Sequence, residues 1–95
     1  MPDDIRDDQI FVPVEGLEVN EVPDGRVVYQ ASRERVHYLN PTALVVFELC
    51  AEKIPLAAIA RFLEDAYQLG APPLAEVRAC MASLLKEELV RPWTP

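Results

Sequence analysis

Three short runs of alternating apolar and polar residues in the first 40 positions predict β-strands. LEVNEV at 17–22 alternates in this way, and the turn sequence VPDG at 22–25 follows it. Proline pre-sets the φ of the first turn position, aspartate tolerates the second, and glycine supplies a positive φ. RVVYQ at 26–30 and RVHYL at 35–39 give the second and third strands. The pattern predicts a three-stranded antiparallel meander.

The two ends of the chain lack these strong signals. Residues 1–9 carry four aspartates and predict an acidic flexible tail. Ile10, Val12 and Val14 then alternate around Pro13, which predicts either a short edge strand or an extended lead-in. Residues 91–95 are expected to form a C-terminal tail, so that one domain spans 10–90.

Helices replace strands after position 40. Asn40 is a favoured N-cap residue, and Pro41 falls at the first helical position, where its missing N–H costs nothing. This first helix should reach about residue 52 and be the most buried element, because it is apolar nearly all round. A second helix is predicted from Pro55 to the stop signal at Gly70. Its apolar face consists of Leu56, Ile59, Ala60, Leu63 and Tyr67.

A third amphipathic helix is predicted from about residue 74 to about residue 88. Its apolar positions follow a 3.6-residue period. They are Leu74, Val77, Met81, Leu84 and Leu85. Three strands followed by three helices indicate an α+β fold, in which the helices cover one face of the sheet.

Composition narrows the class of protein. The chain has 95 residues, of which 51% are apolar, enough for one domain with one modest core. Sixteen acidic and nine basic residues give a net charge of −7, which counts against nucleic acid as the main partner. Two isolated cysteines and the lack of a signal peptide or a membrane-length apolar run predict a cytoplasmic protein.

Several short motifs, taken in order, resemble the PqqD-like family. Tyr38-Leu39-Asn40 with Ala43 matches the family's junction between sheet and first helix. The second helix, IARFLE at 59–64 with Tyr67, and the third, 77–85, also fit, so the resemblance covers about residues 17–90. Members dedicated to pyrroloquinoline quinone synthesis usually carry Pro-Glu before the third strand. This chain reads ASRE at 31–34 there, which favours the broader class.

The resemblance implies both a fold and a function. Proteins of this class resemble winged helix-turn-helix domains that no longer bind DNA. They bind the leader segment of a ribosomally made precursor peptide and present it to a modifying enzyme, often a radical enzyme, a cyclase or a protease. They are non-catalytic, and no cofactor or metal is implied. The leader adds as a strand to the edge of the third strand and lies against the third helix.

Elementary physics favours the same site. In a meander the third strand pairs on one side only, and an extended peptide can satisfy the free backbone groups of its other edge. The third helix would supply an apolar wall, with Ala82 leaving room for a guest side chain. The candidate peptide-binding residues are Arg33, Arg35, Val36, His37, Tyr38, Val77, Arg78, Met81, Ala82, Leu85 and Lys86. Four of them are basic, which predicts a positive groove that favours an acidic peptide.

Structural alternatives stay open for these residues. Val77, Met81 and Leu85 have the spacing of core residues, and the basic residues could be ordinary solvated surface. The edge of the third strand could be covered by residues 10–14 or by a second copy of the chain. His37 alone is more typical of a strand residue than of a ligand or base, and the two cysteines of small buried hydrophobes.

Other classes of function are weaker. An enzyme needs convergent acid, base or nucleophilic groups, and the sequence has one histidine, no glycine-rich phosphate loop and no metal-ligand spacing. A DNA-binding regulator needs a basic recognition helix, whereas the second and third helices mix basic with acidic residues. An accessory subunit of an enzyme complex, without a peptide ligand of its own, remains an alternative.

Overall fold

The computed structural model describes residues 5–23 and 25–94. The strands are β1 (Phe11–Pro13), β2 (Leu17–Val22), β3 (Gly25–Gln30), β4 (Arg35–Leu39) and β5 (Val90–Pro92). The helices are α1 (Pro41–Cys50), α2 (Leu56–Tyr67) and α3 (Leu74–Lys86), and a short 3₁₀ turn (Ala31–Arg33) joins β3 to β4. The predicted α+β fold, a meander followed by three helices, is confirmed.

The meander has the strand order β2-β3-β4, with both pairs antiparallel. Val22 pairs with Gly25, so the hairpin loop consists of Pro23 and Asp24, the second of which lies outside the described residues. Gly25 also has a packing role that the turn signal did not reveal. A Cβ atom at this position would overlap the carbonyl oxygen of Leu39 on β4, so only glycine lets the two backbones approach this closely.

The helix boundaries follow local chemistry. The Oδ1 atom of Asn40 accepts a 2.8 Å hydrogen bond from the backbone N–H of Ala43, which confirms the predicted N-cap of α1. α1 ends at Cys50 and α3 at Lys86, each about two residues before the predicted end. α2 ends at Tyr67 and is followed by Gln68, whose φ of 53° is left-handed and whose N–H donates to the carbonyl of Glu64.

The first and last strands form a second, two-stranded sheet. β1 pairs antiparallel with β5, with Phe11 opposite Pro92 and Pro13 opposite Val90. Residues 10–14 therefore lie beside the end of the chain and not along β4. Arg91 and Pro92, which were expected to lie in the C-terminal tail, belong to this paired strand.

Residues 5–9, which were expected to belong to a flexible tail, pack against the domain. Ile5 is 9% exposed and contacts the core. The carbonyl oxygens of Asp7 and Gln9 accept hydrogen bonds of 2.8 and 2.9 Å from the backbone N–H groups of Ala57 and Leu56. These two carbonyls satisfy amide groups of the first turn of α2, which has no side-chain cap. Residues 1–4 lie outside the described residues.

One apolar core lies between the meander and the helices. Val28 and Leu39 contribute from the sheet, and the helices and the β1–β5 pair supply most of the rest. The fully buried side chains include Phe11, Val28, Val46, Leu56, Ile59, Val77, Met81 and Leu89. Among the described residues, no helix combines the length and the apolar character that a membrane span requires.

Candidate functional site

The outer edge of β4 is open along the part of the chain that the structure describes. β4 pairs with β3 on one side, and within residues 5–23 and 25–94 no strand pairs with its other side. An edge strand directs alternate N–H and C=O groups away from its partner. The edge of β4 is thus a row of backbone donors and acceptors that faces outward.

The side chains of β4 alternate between two environments. Leu39 is buried, and the side chain of His37 is only 10% exposed, because both face the helices. Val36 and Tyr38 are 65% and 55% exposed on the opposite face of the sheet. A strand added beside β4 would share this alternation, with one set of side chains facing the helices and the other facing solvent.

A groove of about 740 Å³ lies between β4 and α3. Its strand wall is β4 itself, and its helix wall is mostly small or short, so the groove has room for a guest. The α3 residues that line it are Ala79, Cys80, Ser83, Leu84 and Glu87. The lining near the end of β4 comes from the start of α1, with Asn40, Thr42 and Ala43. Leu89 completes the lining.

The α3 residues predicted for the site do not line this groove. Val77 and Met81 are 1% and 0% exposed and belong to the core. Leu85 and Ala82 are half-buried and pack against the core. The periodicity of α3 indicated its apolar face but did not indicate which neighbouring face lies against the sheet edge. The groove stripe, with Cys80, Ser83 and Glu87, lies roughly a quarter of a turn from the core stripe.

The four basic residues predicted to form a positive groove lie in different surroundings. Arg33 lies 3.1 Å from Glu88 and Arg35 lies 3.3 Å from Glu87, nitrogen to oxygen. Arg78 is on another face of α3, where it pairs with Asp7 at 2.6 Å. Lys86 is exposed and does not line the groove. Three of the four predicted cations therefore already face the protein's own carboxylates.

A buried glutamine, missed by the sequence analysis, joins β3 to the end of α3. Gln30 is 4% exposed, and its Nε2 donates a 3.1 Å hydrogen bond to the carbonyl of Glu88. Its Oε1 lies 3.1 Å from Nε2 of His37, whose Nδ1 lies 3.6 Å from Oε1 of Glu87. Strict alternation from the buried Val28 places Gln30 on the core face. A polar residue in a core position of a strand was the available signal.

These contacts form what we call the polar clamp, which ties the sheet to the C-terminus of α3 at one end of the groove. The clamp consists of Gln30, Arg33, Arg35, His37, Glu87 and Glu88. Its two arginine pairs are substantially exposed and contribute little energy individually, whereas the buried amide fixes the geometry. The clamp sets the position of the helix wall relative to β4.

The two cysteines are free thiols in different settings. Cys50 is buried, and burial, assisted by the nearby Cys80, raises its thiol pKa to about 12. The thiol of Cys50 donates to Sδ of Met81, with 3.9 Å between the two sulfur atoms. Cys80 is half-buried in the groove wall, and burial raises its thiol pKa as well. Both thiols are therefore protonated near neutral pH and offer soft apolar surface to their neighbours.

Within the described ranges, no three histidine, cysteine, aspartate or glutamate side chains are grouped as a metal ion would require. No curated protein and no solved structure gives a significant match to the chain. The sequence model of the family described as coenzyme PQQ synthesis protein D (PqqD) matches residues 25–90, from β3 to the start of β5. The chain belongs to the PqqD family.

Proposed function

We propose that this protein is a non-catalytic peptide-binding module, which captures the leader segment of a ribosomally made precursor peptide. The leader adds as a strand to the outer edge of β4, and the protein presents it to a peptide-modifying enzyme. One observation carries the proposal. The open edge of β4 borders a groove of about 740 Å³, whose other wall is a helix.

Backbone hydrogen bonds supply the general part of this recognition. An extended peptide that pairs with β4 satisfies outward N–H and C=O groups over about five residues, whatever its sequence. Each such bond contributes only about 0.5–1.5 kcal/mol net, since water is displaced on both sides. Affinity and selectivity must therefore come largely from side chains.

The groove supplies the selective part. Alternate side chains of the guest would face α3, where Ala79, Cys80 and Ser83 leave space beside the buried Leu84. Small wall residues favour a guest with larger apolar side chains at alternate positions, because these fill space that would otherwise hold water. The remaining guest side chains would point away from the helices and stay available to a second protein.

The family description names the synthesis of coenzyme PQQ, whereas the sequence ASRE at 31–34 favours the broader class of peptide-modifying pathways as the setting. In this setting the protein's role is to hold a substrate peptide, and the chemistry belongs to a partner enzyme. A strand-added leader is held at one segment only. The residues that follow it remain free to enter the active site of that enzyme.

Amide-resolved NMR of the intact chain tests the proposal. A library of random displayed peptides is selected against the protein, and a recovered peptide is synthesised and titrated into the labelled protein. We expect the largest amide shifts, and the greatest gain in protection from hydrogen exchange, at residues 35–39. Residues 17–22, at the other edge of the same sheet, are the internal control. Protection at β2 or on α2, without protection at β4, would contradict strand addition.

A further inference from the structure

A second cavity adjoins the groove near the end of β4. This cavity, of about 560 Å³, opens beyond Asn40 between the helices. Thr42 and Cys80 line both cavities, so the two are adjacent at the start of α1. We call the second cavity the distal pocket.

The distal pocket is more apolar than the groove. Its floor consists of Val46, Leu63 and Val77, which are 0%, 3% and 1% exposed. Its walls include Tyr67 and Leu69, which are 53% and 51% exposed and thus leave large apolar surfaces in contact with water. A side chain that entered the pocket would cover surface that the folded domain leaves open.

The two ends of the groove differ in a way that gives a bound chain a direction. In the first half of β4, Arg35 and His37 lie 3.3 and 3.6 Å from Glu87, so the polar clamp borders that end of the groove. At the other end, beyond Leu39, the distal pocket adjoins the groove. A chain lying along β4 therefore meets charged side chains on one side and apolar surface on the other.

We propose that the guest peptide carries a second anchor, a bulky aliphatic or aromatic side chain that enters the distal pocket. This anchor lies outside the strand-added segment, on the side that passes the end of β4. The inference rests on the proposed function, because it requires an extended peptide on β4. The two cavities are adjacent and share Thr42 and Cys80, which favours one peptide over two separate ligands.

Spacing limits where the anchor can lie in the guest. Extended chain advances about 3.3 Å per residue, and the cavities meet at the first turn of α1, directly after β4. The anchor is therefore within a few residues of the last strand-paired position. A fully buried Leu or Phe side chain corresponds to an affinity gain of about tenfold or more.

The experiment uses peptides from the random displayed library and two variants of the intact protein. Leu69→Glu places a charge in the wall of the distal pocket. Phe62→Glu is the matched control, since Phe62 is 50% exposed, as Leu69 is at 51%, but lines neither the groove nor the distal pocket. Thermal melts establish that both variants fold. The affinity of each recovered peptide is measured by calorimetry.

The expected result has two parts. Leu69→Glu weakens binding by about tenfold or more while Phe62→Glu leaves it within about twofold. Replacing one bulky apolar residue of the peptide by alanine gives the same loss with the native protein, and little further loss with Leu69→Glu.

The remaining outcomes separate the two proposals. If N-methylation of alternate peptide amides abolishes binding but Leu69→Glu behaves like Phe62→Glu, strand addition stands and the distal anchor is overturned. If N-methylation has no effect on binding, strand addition fails and the anchor proposal fails with it. The peptide-side change leaves the protein untouched, so misfolding cannot produce either result.

Discussion

The meander has two edges, and they differ in the charge of their side chains and in the groove that borders only one of them. The edge of β2 presents Glu18, Asn20 and Glu21, all exposed, in a protein of net charge −7. The edge of β4 carries the exposed apolar surfaces of Val36 and Tyr38 and borders the groove. Within residues 5–23 and 25–94 no strand pairs with either outer edge, so strand pairing alone cannot distinguish them.

The comparison shows how one sheet can protect one edge and leave the other receptive. Acidic side chains on an edge strand discourage pairing with another chain, because a guest must approach through solvated like charges or desolvate them. The edge of β4 has fewer such obstacles, since the charges nearest to it are already paired within the polar clamp. The wall of α3 beside β4 then offers side-chain contacts to a guest strand.

Proline substitutions should have the largest effect on this contrast. Neighbouring residues of β4 direct their N–H groups to opposite sides of the strand. One of the substitutions Val36→Pro and His37→Pro therefore removes an outward donor, and the other breaks a hydrogen bond to β3. We expect the variant that keeps its fold to lose nearly all affinity for a recovered peptide, as measured by calorimetry.

The same pair of substitutions in β2 is the control for that experiment. Of Glu18→Pro and Val19→Pro, the variant that folds should bind the peptide as the native protein does. Equal loss of affinity from both strands would show that the guest does not distinguish the edges.

Replacing the buried glutamine should have the next largest effect, this time on stability. Gln30→Leu leaves the Glu88 carbonyl and the His37 ring without their partner, so the free energy of unfolding should fall by about 1–3 kcal/mol. Urea denaturation measures the change. Glu88→Gln is the control, since it alters only the exposed pair with Arg33 and should cost at most about 1 kcal/mol.

Removing the cap of α1 should cost less. Asn40→Ala eliminates the hydrogen bond to Ala43 N–H and should lower the free energy of unfolding by about 1 kcal/mol, with little change in peptide affinity. A thermal melt reports the stability, and Asn20→Ala on the exposed β2 strand is the matched control. A melting temperature equal to that of the native protein would contradict the role of the cap.

Salt should have the smallest effect on peptide affinity. The arginines near the groove already face Glu87 and Glu88, so raising the ionic strength should change the affinity of a recovered peptide by less than about threefold. Glu87→Gln releases Arg35 and should make the affinity for an acidic peptide more dependent on salt. A strong salt dependence in the native protein would restore the hypothesis of a positive groove.

The elements that were predictable are those whose signals are local. The alternation at 17–22, the turn sequence at 22–25 and the Asn40-Pro41 helix start each depend on contacts within a few residues. Their structures follow from backbone preferences that any protein shares. The order of elements and the α+β class could therefore be predicted from the sequence.

The features that were missed depend on partners far along the chain. β5 is three residues long, and its partner β1 lies about 80 positions earlier, so no local pattern announces the pairing. The rotation of α3 against β4 depends on how the whole core packs, which is why Val77 and Met81 were placed in the groove and Cys80 and Ser83 were not. The packing of Ile5 against the core was missed for the same reason, because its partners are distant in sequence and its neighbours along the chain include aspartates.

The pairing of β1 with β5 has a mechanical consequence. Phe11, where the chain enters the ladder, lies opposite Pro92, where it leaves. Tension applied to the two flanking segments would first detach residues 5–9 from α2 and then load one end of the ladder. The hydrogen bonds of the ladder would break one after another, in an unzipping geometry, and not all together, as they would under shear.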